Sequence, residues 1–142
     1  MSVTTAMTTS FKQELLQGLH DLDGHTLKLA LIKSGESGTF GAASTNFSNI
    51  TDSSDEASGT GYSSGGATLG SVAITTSGTT AFVDFADVSF SNSTISASGA
   101  MIYNSSASNR AIAVISFGGT VASTAGTFTV TMPTADSSNA II

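Results

Sequence analysis

The chain has no cysteine, no tryptophan, one proline and only four basic residues in 142. Without cysteine, disulfides and thiolate-bound zinc or iron–sulfur centres are excluded, and nothing points to an oxidising compartment. Lys12, Lys28, Lys33 and Arg110 are scattered among ten acidic side chains, for a net charge of −6. So few cations leave out the electrostatic footprint of a nucleic-acid binder. No apolar run approaches the ~18 residues of a transmembrane helix, so no membrane partner is expected. Met1–Phe11 shows neither the basic nor the apolar region of a secretory signal.

Ser, Thr and Gly make up 61 of the 142 residues, a composition close to that of a linker. Against that stand 39% hydrophobic residues, arranged in patterned runs, and a charged fraction of only 10%. Patterned apolar residues decide for a folded chain. The expectation is one domain over 1–142, with an N-terminal arm at 1–9 and a C-terminal tail at 134–142.

The densest apolar alternation lies between Ala81 and Gly119, where Phe82, Phe85, Val88, Phe90, Ile95, Met101, Ile102, Tyr103, Ile112, Val114, Ile115 and Phe117 fall. Period-2 spacing of this kind predicts antiparallel strands around one core. Leu27, Leu29 and Leu31 alternate within a first strand over Thr26–Lys33, predicted to bury one face. Leu69, Val72 and Ile74 follow in Ala67–Thr76, and Ser77-Gly78 turns the chain into Thr80–Phe85. Asn92-Ser93 marks a turn or kink before Thr94–Asn104. Arg110–Phe117 is apolar on both faces and reads as a central strand buried on two sides. Gly118-Gly119 reads as a turn before a last strand, Thr127–Met132, which Pro133 stops. Seven or eight strands at this spacing predict an all-β fold, an antiparallel β-sandwich of jelly-roll or Ig-like type, with one short N-terminal helix. Ser10 and Gln13 form a capping box for that helix, Phe11, Leu15, Leu16 and Leu19 share its apolar side, and Gly18 ends it.

Ser34–Gly66 reads as a long polar loop with a short strand near Phe47–Thr51. Loops of that length usually contact a partner, so Phe47, Ile50 and Tyr62 are candidate contact residues. Ile141 and Ile142 join them, because Ala140-Ile141-Ile142 is an apolar patch that costs solubility unless it docks on this domain or a neighbour. No catalytic, cofactor-binding or metal-binding residue is assigned. His20, Asp21, Asp23 and His25 have ligand chemistry but no metal spacing, and Asp and Gly belong in a turn for local reasons. Asp52, Asp55 and Glu56 lack the spacing of a calcium loop. Asp84 and Asp87 are as well explained as turn-capping carboxylates as by acid–base work. The run Gly59–Gly66 is followed by a strand and lacks Gly-Lys-Ser/Thr, so it reads as a set of tight turns beside Tyr62 and not as a phosphate loop.

Four pieces, in order, carry a resemblance. They are the short helix followed by Thr26-Leu27-Lys28-Leu29-Ala30-Leu31-Ile32; Glu56–Tyr62 with Gly65–Leu69; Phe85–Phe90 leading through Ser93-Thr94-Ile95 to Gly99–Tyr103; and Phe117-Gly118-Gly119 with Gly126-Thr127-Phe128. In these the chain resembles small structural proteins of tailed bacteriophages over most of Phe11–Met132. It departs from the pattern at Phe90 and Ser98, where members often carry Trp and Arg. The resemblance implies a non-enzymatic virion protein, a head decoration or cement protein on the capsid exterior whose partner is the major capsid protein. The three-fold positions such proteins frequently occupy imply self-association as a trimer. The alternative is a tail, fibre or adhesion module in which Tyr62 and the Asn/Ser-rich loops meet a host glycan.

Overall fold

The computed structural model describes residues 2–132. They form a mainly β protein with antiparallel sheets and two short helices. The strands are β1 (Ser2–Val3), β2 (Ala6–Met7), β3 (Leu27–Lys33), β4 (Thr39–Phe40), β5 (Ala67–Thr68), β6 (Ala73–Ser77), β7 (Thr80–Asp84), β8 (Val88–Asn104) and β9 (Arg110–Val130). The helices are α1 (Thr9–Leu16) and α2 (Ser48–Asp52). One five-stranded sheet runs in the order β2-β9-β8-β3-β5, β6 and β7 form a separate hairpin, and β1 pairs in parallel with β4.

Two long strands, β8 and β9, span the shorter ones that the sequence suggested over Thr94–Asn104, Arg110–Phe117 and Thr127–Met132. At Asn92, β8 takes the second of the two readings, a kink: it bulges with φ +50° and does not reverse, so that Phe90 faces Phe128 and Ser93 faces Gly126. On β9, Gly118 and Gly119 do not reverse the chain either. Ala97 faces Val121 and Gly99 faces Ser116, so Phe117–Thr120 bulges out opposite the single residue Ser98. Both halves of β9 pair with the same neighbour in the same direction, and the glycines absorb the extra length.

The sheet is buried on both faces where β3, β8 and β9 lie together. On one face Leu27, Leu29, Leu31, Ala100, Ile102, Ile112 and Ala113 join Phe11, Phe85 and Phe90 in the larger core. On the other, Ile32, Met101, Ala111 and Val114 meet Phe40 of β4 and Ile50 of α2. Two-sided burial holds over Ala111–Val114 but not at Arg110 or Ile115–Phe117, which are half-buried, and β3 departs from the one-sided expectation: Ala30 and Ile32 are as buried as the leucines. At ~1.5–3 kcal/mol for each large side chain removed from water, the second face is a major contribution to stability.

The polar N-terminal arm is a structured part of the sheet. Ala6 and Met7 pair with Val114 and Ala113, and Ser2 and Val3 pair with Thr39 and Phe40. The cap of α1 is Thr8 and not Ser10: buried Thr8 accepts a hydrogen bond from the Phe11 amide through Oγ1 and donates to the Ala111 carbonyl. Phe11 and Glu14 turn inward, which leaves Leu16 91% exposed and Leu15 and Leu19 also exposed, against the apolar side expected for them. The stretch expected as a strand near Phe47–Thr51 is instead α2.

Gly18 and Gly66 both adopt left-handed backbone, with φ of +75° and +83°. A Cβ on Gly18 would meet open space, whereas on Gly66 it would stand 1.9 Å from the Leu29 carbonyl oxygen. Gly18→Ala is expected to cost about 1–2 kcal/mol, the left-handed strain alone. Gly66→Ala should cost clearly more, because β3 has to move; equal losses in urea denaturation would contradict this account of the loop.

Candidate functional site

The Ser34–Gly66 segment is held to the sheet by two buried or half-buried carboxylates. Asp55 accepts hydrogen bonds from the Ser37 amide (2.9 Å), the Gly38 amide (2.8 Å) and the Ser37 hydroxyl, with Lys33 Nζ at 3.5 Å. Burial alone would raise its pKa. The hydrogen bonds from Ser53, Ser37 and Gly38 outweigh that effect and hold it down at about 2. Glu56 accepts from the Tyr62 hydroxyl (2.8 Å), the Gly65 amide (2.6 Å) and the Ser64 hydroxyl. The Tyr62 oxygen in turn accepts from the Leu31 amide of β3 at 3.1 Å. Burial foremost, with Glu56 beside it, raises the Tyr62 pKa despite the Leu31 N–H. Tyr103 donates to the Gly65 carbonyl, and its own pKa is pushed up to about 12, by burial and then by the Glu56 charge.

These bonds decide what the predicted contact residues are. Tyr62 is half-buried, its ring against Phe90 and its hydroxyl engaged on both sides, so it anchors a loop. Ile50 is fully buried and is corrected from contact residue to core residue. Phe47 is half-buried and stacks on Tyr103 with ring centroids 4.5 Å apart and planes within 8°. Ile141 and Ile142 lie outside the described residues.

The histidines come together, and Asp21 meets His25 through its backbone, its amide donating to His25 Nδ1 at 3.2 Å. Asn104 Nδ2 donates to Nδ1 of His20 (3.0 Å) and Nδ1 of His25 (2.9 Å), while its Oδ1 accepts from the Ser106 and Ala107 amides. That fixes the His20 tautomer, and Nε2–H donates to Glu14, which also accepts from Arg110. Asp21 accepts from the Gly24 amide in the turn. Among the described residues no group of three or more His, Cys, Asp or Glu is placed to hold a metal ion. Asp52, Asp55 and Glu56 do not converge either, since Asp55 and Glu56 are spent on different loop amides. Asp87 bonds across the sequence and not within its own turn, accepting from the Met132 amide at 2.7 Å.

The surface that sequence reasoning missed is an apolar groove of about 500 Å³ between β2 and the two ends of β9. Met7, Ile115, Phe117, Val121, Phe128 and Val130 line it, and among the described residues no lining side chain is charged. Alternation of Phe128, Val130 and Met132 is visible in the sequence. Their meeting with Met7, more than a hundred residues away, is not. In comparison with known proteins, no protein-family model, no curated protein and no solved structure matches the chain.

Because the Asp55 carboxyl titrates lower in the folded than in the unfolded chain, its stabilisation is complete above about pH 4 and is lost as pH falls toward 2. The full loss is about 2 kcal/mol. Urea denaturation should therefore show wild type losing that much more stability than Asp55→Asn between pH 5 and pH 2. Parallel pH profiles would contradict it. Tyr62→Phe should cost about 1–3 kcal/mol at neutral pH, as the Leu31 amide loses its acceptor.

Proposed function

We propose that the chain is a structural protein of a tailed-bacteriophage virion, a head decoration or cement protein that binds the major capsid protein on the capsid exterior and stabilises the shell without catalysing a reaction. The observation that carries this reading is the apolar groove beside a stretch of β9 that, among the described residues, has no charged lining side chain and no partner strand, a surface suited to another polypeptide. The resemblance supports it further, since its four pieces fall on α1 and β3, on the loop that closes over β3, on β8 and on β9. In this reading the β6–β7 hairpin and the outer halves of β8 and β9 form the second layer of a β-sandwich around Val83, Phe85, Val88, Phe90 and Phe128. Many copies on an icosahedral lattice would gain avidity from repetition, and a trimer suits its three-fold positions.

The alternative, a tail, fibre or adhesion module, has less to stand on. Its proposed glycan contact, Tyr62, has a hydroxyl already engaged by Glu56 and Leu31. Cryo-EM of purified virions together with antibody labelling tests the choice. Density and label over the head shell are expected; label at the tail tip alone selects the alternative, and a bare head shell overturns the proposal.

A further inference from the structure

The connection over 19–26, which carries the chain from α1 to β3, is clasped to the β8–β9 turn through one side chain. Asn104 is fully buried, and both its Nδ2 hydrogens and both its Oδ1 lone pairs are used. Backbone amides only donate, so the Ser106 and Ala107 amides fix Oδ1 on the turn side and leave Nδ2 as the donor to both rings. Nδ1 of His20 and Nδ1 of His25 must therefore both carry lone pairs. The His25 Nδ1 takes a second donor as well, the Asp21 amide. Beside the clasp, Ser105 and Ser106 bond the backbone of Thr26, and Leu22 enters the larger core. Residues 17–26 belong to no helix or strand, so much of their attachment to the sheet rests on these bonds and on Leu22.

We propose that this clasp is an acid-sensitive latch: a proton on Nδ1 of either histidine turns the acceptor that Asn104 needs into a second donor, and the 19–26 connection releases while the sheet stays folded. The added proton has no other place to go, because Nε2 of His20 already carries one and donates it to Glu14 at 3.0 Å. Asn104 cannot turn over to offer its oxygen, since its NH₂ group would then oppose the Ser106 and Ala107 amides. The rings lie 2.9–3.0 Å from Nδ2, too close for opposed N–H groups. The charged groups facing the pair are Glu14 of α1, whose charge favours a protonated His20, and Arg110 of β9, which stands 2.9 Å from Glu14 and offsets it. Asp21 and Asp23 belong to the connection itself, and β8 contributes the neutral Asn104. Glu14 receives the same Nε2–H in both states, so the difference between them lies at Nδ1. The closed form excludes protons that the released form takes up. The latch is therefore shut at neutral and alkaline pH and opens as pH falls through the range in which an imidazole is protonated, around pH 6.5. Release uncovers Leu22 and the Phe11 ring against which His20 packs at 5.0 Å, so an apolar contact surface appears in acid. None of this depends on the virion reading.

Imidazole ¹⁵N spectra at pH 7.5 should show both rings as the Nε2–H tautomer; Nδ1–H on either ring would overturn the latch. Hydrogen exchange then measures release. After correction for the pH dependence of intrinsic exchange, protection of the Thr26, Ser105 and Ser106 amides should fall at least about tenfold between pH 7.5 and pH 5.5, the factor that one excluded proton gives per pH unit. The amides that pair β3 with β8 should keep theirs. A flat profile at the clasp would overturn the proposal, and so would equal loss throughout the sheet. Two substitutions separate the proton from the packing. Asn104→Asp puts a carboxylate oxygen where Nδ2 stands and keeps an acceptor for the two turn amides, so protection should rise as pH falls. His25→Gln keeps an acceptor for Asn104 but cannot titrate, and its fall should be clearly shallower than that of wild type. An unchanged slope in either variant contradicts the latch, and His25→Gln, altering a half-exposed turn residue, decides the matter even where Asn104→Asp does not fold.

Discussion

The closure of the β3 edge by a side chain is the constraint on which the rest of the molecule depends. A sheet strand presents an amide and a carbonyl at alternate residues on each side, and each must find a partner when buried. At Leu31 that partner is not another strand. The Tyr62 hydroxyl takes the amide, and Tyr62 is held in place by Glu56, which the Gly65 amide steadies from the other side. A phenol is amphipathic enough for this task, because its ring packs on Phe90 in the core while its oxygen serves the backbone. The run of glycines around it then has a mechanical reason. Gly66 passes against the Leu29 carbonyl and Gly59 against the Thr94 carbonyl, each too close for a side chain. Composition, loop path and strand edge are a single arrangement.

Sealing that edge also permits the two-sided core. The loop that bonds to β3 carries Phe40, α2 and Ile50 across the second face, and β1 ties the start of the chain to the same layer through Phe40. Asp55 is the hinge pin of this wrap. Its carboxylate collects two backbone amides and a hydroxyl, and its own carbonyl accepts from the Lys33 amide. A buried charge would be a liability without such partners; with them it is the favoured form. The Asn104 network has the same character at the other end of the strands, where one amide side chain satisfies two histidines and two backbone amides.

What the sequence made legible follows from range. Period-2 apolar spacing marked β3, β7 and the cores of β8 and β9, because alternation is a local property, whereas the single strand read over Ala67–Thr76 is split into β5 and β6 in different sheets, with β6 exposed throughout. Gly118-Gly119 and Asn92-Ser93 were recognisable as breaks in regularity, yet a turn and a bulge share the same residues, and only pairing with a common neighbour distinguishes them. Two-residue strands such as β1 and β2 carry no period at all. For α2, Phe47 and Ile50 stand three apart, too short a pattern to separate one helical turn from a strand. Of the candidate contacts, Tyr62 was noticed for its place among glycines and read both as buried beside them and as a contact, since a hydroxyl at the end of a ring is equally at home in solvent or at a backbone amide. The groove was invisible because its walls come from both ends of the described chain.

The asymmetry between the edges is the feature that gives the fold a direction. If both edges were sealed, the described residues would present a largely polar, Ser- and Thr-rich exterior, broken by Leu15, Leu16, Leu19, Ile74 and Val121. If both were open, nothing would prevent edge-to-edge association into fibres. Among the described residues one edge is closed by Tyr62 and the other has no partner strand beyond Val114, so the edge that could template a further strand is that of β9. There the backbone offers hydrogen bonds to any strand, while Met7, Phe117, Val121 and Phe128 restrict entry to an uncharged, apolar one. Specificity on this surface therefore resides in the side chains flanking the edge. The bulge at Phe117–Thr120 interrupts the edge and divides it into two short stretches, which disfavours long, regular pairing between copies and suits a segment of only a few residues.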